Sequence, residues 1–315
     1  MRKLLTALLV LVGVFGIALA GLLRFYAPSR AEKTPLNLDI IQVATGPAKL
    51  LNSATGEVED TTLNATRRVR TDSAASNSDV TVVQETLCLV KAVDNPPECV
   101  DAQDPRKRLV AFTTDRVAAD RKTAESVNDP KYGANINGDT SVKHTGLTYK
   151  WPFNAKKTTY KFFDPASSQS PDAKFVGTEK YDGMELYKYE AVIDNIDLPV
   201  GPNIPGRYSN TRNVSVDPVT GAIVKGAEHQ VRTLADGSTA LDTTLTFNDA
   251  AVRYQAKQAK DGRSQITMLT VILPLILLVV GIAALVGAFL LLRNDDDHHG
   301  AHAARAAEAP EPTRV

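Results

Sequence analysis

The sequence predicts a mainly β protein, in which an antiparallel barrel-like or sandwich body with few helices lies between two transmembrane helices. Two observations carry this prediction. Long apolar runs occupy residues 4–23 and 268–292 of the 315-residue chain. Between them, short segments of alternating apolar and polar residues are separated by turn residues, which is the pattern of half-buried antiparallel strands.

The first apolar run, Leu4–Leu23, contains no charged residue and follows a short basic segment. At about 1.5 Å per residue it would cross roughly 30 Å, the thickness of the hydrocarbon core of a bilayer. A cleaved signal peptide is the alternative, since Ala18-x-Ala20 is a suitable cleavage site. Because the run continues past that site, we expect residues 1–23 to form an uncleaved N-terminal anchor.

The second apolar run, Met268–Leu292, is interrupted by Pro274 and ends at Arg293. It predicts a transmembrane helix over residues 266–292, in which a proline is tolerated because neighbouring groups can satisfy the freed carbonyl. The residues that follow, 293–315, are rich in Ala, Pro and charge and are expected to form a disordered cytoplasmic tail.

Residues 24–265 then form the body, and two spans place both termini on one side of the plasma membrane. Basic residues flank both runs on the body side, which by the positive-inside rule favours a cytoplasmic body. That rule is weak for long loops, which translocate largely regardless of charge. The signal-like N-terminus and a cysteine pair favour the opposite arrangement, so we expect an extracytoplasmic body and cytoplasmic termini.

Within the body, alternating segments separated by turn clusters are the strand candidates. They are Val80–Val90, Arg108–Thr113, Thr158–Phe163, Glu185–Ile193, Ala222–Thr233 and Leu241–Phe247. The best helix candidate is Asn248–Ser264, which Asn248 or Asp249 can cap and which is rich in Ala, Gln and Lys. It leads almost directly into the second apolar run, which predicts a stalk between the body and the membrane.

Cys88 and Cys99 flank a Pro-rich loop, Asn95-Pro96-Pro97. Two strands turning around that loop would bring the cysteines together, and an oxidising compartment would bridge them. The alternative is two unrelated buried thiols. We expect the disulfide.

Sequence motifs give no indication of catalysis, a metal or a cofactor. The chain contains no G-x-S-x-G, H-E-x-x-H, Walker or G-x-G-x-x-G motif, so we expect no catalytic residues, no metal site and no cofactor. Its 36 basic and 36 acidic residues balance, whereas nucleic-acid binders carry a basic excess. A glycosidase-type pair of carboxylates remains open, because such pairs meet in space rather than in sequence.

The most distinctive stretch runs from Gly146 to Asp164 and contains the single tryptophan. It predicts a strand, a corner broken by Pro152, and a second strand. The aromatic side chains are either core or the edge of a lipid-binding cavity, and the lysines are either solvated or in contact with anionic headgroups. The candidate lipid-binding residues are Tyr149, Trp151, Phe153, Lys156, Lys157, Tyr160 and Phe162.

Several motifs resemble the actinobacterial two-span envelope proteins labelled as a porin-A family. They are the Asp115-Arg116-x-x-x-Asp120-Arg121-x-Thr123 run, the Trp151-Pro152-Phe153 corner with Tyr160 and Asp164, and the Asp217-Pro218-x-x-Gly221 turn. The resemblance covers nearly the whole chain. It implies an elongated barrel-like extracytoplasmic body with lipid-binding cavities, and a part in the maturation or transport of lipomannan and lipoarabinomannan. The resemblance supplies no catalytic residues.

Three functional hypotheses follow from the sequence. The first is a membrane-anchored protein of cell-envelope biogenesis whose partner is a membrane lipid or a lipid-linked glycan. It predicts an apolar cavity in the body. The second is a non-catalytic scaffold for envelope-assembly enzymes such as glycosyltransferases. The third is a glycan-processing enzyme, which predicts carboxylates that converge in a groove.

Overall fold

The computed structural model describes the backbone of residues 2–201 and 203–307, and within these ranges the side chains as far as Arg293. The chain forms two compact units. Residues 32–263 make up the body, and the segments before residue 32 and after residue 263 make up the second unit.

The body contains one sheet of eleven strands, all paired antiparallel, in the order β5-β4-β3-β2-β1-β11-β10-β9-β8-β7-β6. Each strand except β1 and β11 neighbours only the strands adjacent to it in sequence, and the pairing of β1 with β11 joins the two halves. The strands are β1 (Asp39–Leu51), β2 (Val58–Asp72), β3 (Val80–Lys91), β4 (Leu109–Asp120), β5 (Asn135–Ile136), β6 (Tyr160–Lys161), β7 (Asp172–Tyr181), β8 (Met184–Asp197), β9 (Gly206–Val216), β10 (Ile223–Leu234) and β11 (Thr239–Phe247).

Isolated bridges link the two ends of this sheet. From β4, Ala119 pairs with Ser126, and Glu125 pairs with Leu147. Leu147 in turn pairs with Phe162, just after β6: its N–H donates to the Lys161 carbonyl (2.8 Å), and its carbonyl accepts from the Phe163 N–H (2.7 Å). The sheet is therefore closed into a barrel-like ring at this level, which confirms the predicted fold class.

Packed aromatic side chains fill one part of the barrel interior. Trp151 is completely buried, with its ring centroid 4.7 Å from that of Phe162 and 5.1 Å from that of Tyr189. Val216 and Ile223, from the β9–β10 hairpin, belong to the same cluster. Burying a large apolar side chain contributes about 1.5–3 kcal/mol, so this cluster is a main source of stability for the body.

The corner Trp151–Ala155 is fastened to the β9–β10 turn Asp217–Gly221, and together we call these two segments the base. The Trp151 N–H donates to the Gly221 carbonyl and the Ala155 N–H to the Pro218 carbonyl, both at 2.8 Å. Gly221 has a φ of +74°, and a Cβ there would lie 1.9 Å from the Trp151 carbonyl oxygen. Glycine is therefore required both by the backbone conformation and by the contact.

The helix that follows the sheet, α2 (Asp249–Thr267), packs on the outside of the body. Asn248 caps it, because the Asn248 Oδ1 accepts from the Ala251 N–H at 2.8 Å. Ala256 and Ala259 are buried against Met184 and Leu186. The predicted helix is confirmed, and it ends three residues later than expected, before a π-helical turn at Met268–Ile272.

In the second unit, α1 (Arg2–Ala31) and α3 (Leu273–Ala307) carry the two apolar runs. By length and composition, α1 and the helical segment 249–293 could each cross a membrane. α1 continues beyond residue 23, where the sequence prediction ended the anchor. Likewise, α3 continues to Ala307 into the tail expected to be disordered from residue 293, and residues 308–315 of that tail lie outside the described residues.

All six predicted strand segments contain or overlap strands, but Thr158–Phe163 contains only the two-residue β6. The sequence analysis missed β1, β2, β5, β7 and β9. On β1, β2 and β9 polar residues also occupy the inward face, as Gln42, Arg67 and Arg212 do on the cavity wall, so the apolar alternation of these strands is weak. The predicted disulfide is confirmed: Cys88 and Cys99 are bonded, with Cα atoms 5.6 Å apart.

Removing the disulfide is expected to destabilise the body. A Cys88→Ser/Cys99→Ser variant should lose about 2–4 kcal/mol, because the crosslink restricts the unfolded chain. Urea unfolding of the full-length protein in detergent, followed by the fluorescence of the single tryptophan, measures this loss. An unchanged urea midpoint, equal to that of the wild type, would contradict the expectation.

Gly221→Ala should detach the corner from the β9–β10 turn. The new Cβ meets the Trp151 carbonyl and the backbone conformation is strained, so the expected loss is about 2–4 kcal/mol. Gly237→Ala is the matched control: Gly237 has a φ of +86°, but a Cβ there meets nothing within 4 Å. It should lose about 1 kcal/mol. Equal losses in the two variants would show that the contact with Trp151 contributes nothing.

Candidate functional site

A cavity of about 390 Å³ lies inside the barrel, between β1–β4 on one side and β9–β11 on the other. Its volume falls in the range of small-molecule sites, roughly 300–1,000 Å³. Much of the wall is apolar and includes small side chains. The apolar lining includes Ala44, Ala65, Leu89, Val214, Leu245 and Phe247.

Ionic side chains are also present on the wall, and on β2 and β3 they form one pair. The Arg67 guanidinium donates to both carboxylate oxygens of Glu85, with Nε–Oε1 2.6 Å and Nη2–Oε2 2.5 Å. Its Nη1 donates to Gln42 Oε1 at 3.0 Å. This bidentate geometry is the strong form of the charged hydrogen bond, so the pair is fixed on the cavity wall.

The opposite wall carries a larger cluster around Arg212 of β9. Arg212 donates to both carboxylate oxygens of Glu228 at 3.2 Å and to Asp164 Oδ1 at 3.2 Å. Asn210 donates from Nδ2 to Glu228 Oε1 at 2.8 Å, and the Tyr208 hydroxyl donates to Asp164 Oδ2 at 3.1 Å. Both carboxylates of the cluster are therefore engaged by donors.

The electrostatic consequence is that Glu228 and Arg212 stay ionised. Burial alone would raise the pKa of Glu228, but the adjacent Arg212 outweighs it and holds that pKa below its ordinary value. Burial would lower the pKa of Arg212, but Glu228 and Asp164 raise it above its ordinary value. The burial of Tyr208, aided by the same carboxylates, raises the pKa of its hydroxyl.

Two further polar groups border this region. Asp115 lines the cavity and its Oδ1 lies 2.7 Å from the Nε2 of His144, and both side chains are buried. Arg232, also on the lining, places its guanidinium carbon 5.3 Å from the centroid of the Tyr208 ring. The buried Nε of Arg232 has no hydrogen-bond partner among the described residues.

The hairpin Asp164–Gln169 borders the cavity. Asp164 and Gln169 pair across it, and Pro165 and Ala166 contribute to the lining. Asp164 Oδ2 accepts from the hydroxyl of Ser167 at 2.7 Å. Asp164 also forms an ion pair with Arg212 of the cavity wall. That ion pair therefore holds the hairpin in place.

Of the seven predicted lipid-binding residues, Phe162 lies on the cavity wall. Tyr149 and Trp151 are core residues, and Tyr160 packs against the Trp151 cluster. Lys156 and Lys157 are exposed. A lipid-binding role for the six residues that do not line the cavity stays a prediction.

Phe153, the remaining residue of that set, lies in the base. Its ring centroid is 3.6 Å from the Nζ of Lys150, which also donates to the Thr34 hydroxyl at 3.4 Å. Burial lowers the pKa of Lys150 to about 7. The first residues of the body are thus held by the same segment that carries the Trp-Pro-Phe corner.

The sequence analysis did not identify Arg67, Glu85, Arg212 or Glu228 as site residues. A signal was present for Arg67, because it shares the parity of Leu63, Ala65 and Val69 along β2 and therefore points inward with them. Arg68 and Arg70 point outward but lie close to Arg67 in the sequence. The three arginines together read as one basic cluster, which obscured the inward position of Arg67.

Glu228→Gln is expected to destabilise the body by about 3 kcal/mol at pH 7, because it removes the main partner of a buried arginine. The pKa of Glu228 is lower in the folded protein, so its contribution is present above its unfolded value of 4.5 and is lost as the pH falls through the folded value. The difference between variant and wild type should therefore shrink on acidification.

Asp242→Asn is the control, since Asp242 pairs with His229 on the exposed face of β11. It should cost about 0–1 kcal/mol. Urea midpoints at pH 7 and pH 4 measure both variants. A loss in Glu228→Gln no larger than in Asp242→Asn would contradict the role given to the Arg212 cluster.

Comparison with known proteins places this architecture in a family. Porin PorA of Corynebacterium amycolatum is 24% identical over 60% of this chain and 66% of its own length. Porin PorA of Corynebacterium resistens (strain DSM 45100 / JCM 12819 / GTC 2026 / SICGH 158) is 32% identical over 31% of this chain and 26% of its own length. Both alignments thus cover less than two thirds of the relative. The family model described as Porin PorA matches residues 5–290, through both apolar helices and the whole body, and the chain therefore belongs to the Porin PorA family.

Proposed function

We propose that this protein binds a lipid or a lipid-linked glycan in the cavity of its body and acts in cell-envelope biogenesis. Family membership and the two apolar helices indicate a membrane or envelope location. In the proposal the body lies outside the cytoplasm, and its ligand belongs to the maturation or transport of lipoglycans such as lipomannan and lipoarabinomannan.

The observation that carries the proposal is the composition of the cavity wall. Small and aliphatic side chains such as Ala65, Leu89 and Leu245 offer an apolar surface, which favours an acyl or prenyl chain. The ion pairs of Arg67 and Arg212 offer fixed polar contacts beside it. An amphiphile combines the two chemistries in one molecule.

The disulfide supports the extracytoplasmic placement of the body. Disulfides persist in oxidising compartments and are rare in the cytosol, and Cys88 and Cys99 are bonded. Cys88 lies on β3 between Leu87 and Leu89, which both line the cavity. The crosslink therefore also secures part of the cavity wall.

The family description names a pore, but the outward faces of the strands favour a barrel in water. A membrane-embedded barrel presents an apolar band to lipid. Here the outward side chains of Asp60 and Arg70 on β2 are 84% and 62% exposed, and an arginine on the lipid face costs about 2–4 kcal/mol at the bilayer midplane. We therefore propose that the barrel itself does not cross the bilayer.

One observation favours a second candidate function, glycan processing. Glu85, Asp115, Asp164 and Glu228 converge on the cavity, as that hypothesis predicts. However, a glycosidase acid needs a raised pKa, and the pKa of Glu228 is lowered. Incubation of the purified protein with a mannosylated lipid separates the two functions, because processing would shorten the glycan and binding would leave it intact.

The proposal predicts that lipid co-purifies with the protein and that filling the cavity expels it. Ala65→Phe places a ring into the cavity from β2 and should remove most of the bound lipid detected by native mass spectrometry of the full-length protein. Thr62→Phe adds the same ring to the exposed face of β2 and should leave lipid occupancy unchanged.

Two results would count against lipid binding. The first is a wild-type protein that carries no lipid and takes up none from vesicles of phosphatidylethanolamine and phosphatidylinositol. That result would favour the scaffold hypothesis, in which the partners are envelope-assembly enzymes. The second is equal lipid occupancy in Ala65→Phe and Thr62→Phe, which would place the lipid outside the cavity.

A further inference from the structure

One narrow face of α1 is buried, although most of the helix is exposed. The buried residues of α1 are Gly13, Gly16 and Ala20. They recur at intervals of three and four, so they lie on one side of the helix. Large side chains between them, such as Phe15, are exposed.

The surface that covers this face belongs to α3 and is also made of small residues. Among the described residues of α3 the buried positions are Pro274, Gly281, Ala284 and Ala288, and the last three are small. A Cβ on Gly16 would lie 3.2 Å from the Leu277 carbonyl oxygen and 3.4 Å from the Gly281 Cα, and a Cβ on Gly281 would lie 3.0 Å from the Gly13 carbonyl oxygen. The two backbones therefore approach closely where the glycines meet.

The order of the contacts shows that the helices are antiparallel. Leu9 contacts the position of Gly287, Gly13 contacts Leu285, and Gly16 contacts Leu277 and Gly281. Residue numbers rise along α1 as they fall along α3. We call this α1–α3 contact the glycine seam.

Close approach through small residues is how helices associate inside a bilayer. Lipid tails are as apolar as leucine, so burying large apolar side chains gives no driving force there, and association relies on van der Waals packing between backbones. A secretory leader, in contrast, needs only an apolar stretch and a cleavage site. A secretory leader does not need a small-residue face that matches a face on a second apolar helix.

We infer that α1 is retained in the mature protein and pairs with α3 as an antiparallel transmembrane hairpin. Cleavage after Ala20 would remove Gly13, Gly16 and Ala20 together and leave the small-residue face of α3 without its partner. Retention places both chain ends on the same side of the membrane and tethers the body at both of its ends. The inference does not depend on what the cavity binds.

Cysteine crosslinking in native membranes tests the hairpin. The pair Leu9→Cys/Gly287→Cys suits this, because a Cβ on Gly287 makes only an ordinary contact, 3.7 Å from Leu9 Cδ1. After oxidation with copper phenanthroline, the full-length protein is denatured without reductant and labelled with PEG-maleimide. Cys88 and Cys99 are already bonded and take up no label.

Each outcome of the crosslinking either supports or overturns the inference. Absence of PEG addition is the expected result, because the two new thiols have bonded to each other within a monomer. One addition means that residue 9 has been removed by cleavage, and two additions mean that the helices are apart; either overturns the inference. The control pair Leu8→Cys/Val286→Cys, at positions 56% and 51% exposed, should take up two.

A matched glycine pair tests the seam itself, in the background of the Leu9→Cys/Gly287→Cys crosslink. Gly16→Leu introduces a side chain where the backbones touch and should lower the crosslink yield by about fivefold or more. Gly21→Leu adds the same side chain to the same helix at a position with nothing within 4 Å of the Cβ, and should leave the yield unchanged. Equal crosslink yields in the two variants would contradict the role of the glycine seam in helix pairing.

Discussion

Closing an antiparallel sheet of eleven strands places every second side chain of its main strands in a shared interior. The rest of the body depends on this constraint, because the interior includes charged residues as well as apolar ones. Arg67 and Arg212 lie on opposite walls, and each is neutralised by a carboxylate on an adjacent strand or loop. A buried charge without such a partner would cost several kcal/mol, so the pairing is what permits an open cavity with polar walls.

The aromatic cluster and the cavity divide the interior between them. Around Trp151, large rings fill the space and the base fastens the hairpin of β9 and β10 to the corner. Around Ala65, small inward side chains such as Ala44 and Ala111 line the cavity. Both ends of the body attach beside the filled part, through Thr34 to Lys150 and through Arg263 to Asp217. Rigid packing thus holds the two ends of the body, and the small side chains leave room for a ligand.

Local patterns predicted the fold class, the helix α2 and the disulfide, because each depends on nearby residues. Cys88 and Cys99 are separated by a single Pro-rich loop, and Asn248 caps a helix of good helix formers. The site is different, since Arg212 meets Asp164, 48 residues away, only when the sheet is closed. The sequence singles out the aromatic residues of 149–162, but it could not tell a core from a cavity wall. That distinction depends on which strands face each other across the barrel.

The central claim is that the interior of the barrel holds an acyl or prenyl chain. Photolabelling with a phospholipid that carries a diazirine in its acyl chain tests this most directly, with the labelled peptides of the full-length protein mapped by mass spectrometry. We expect labels on inward residues of β2, β3 and β11, such as Ala65, Leu89 and Leu245. Labels confined to α1 and α3, with none on the inward residues of the sheet, would contradict it.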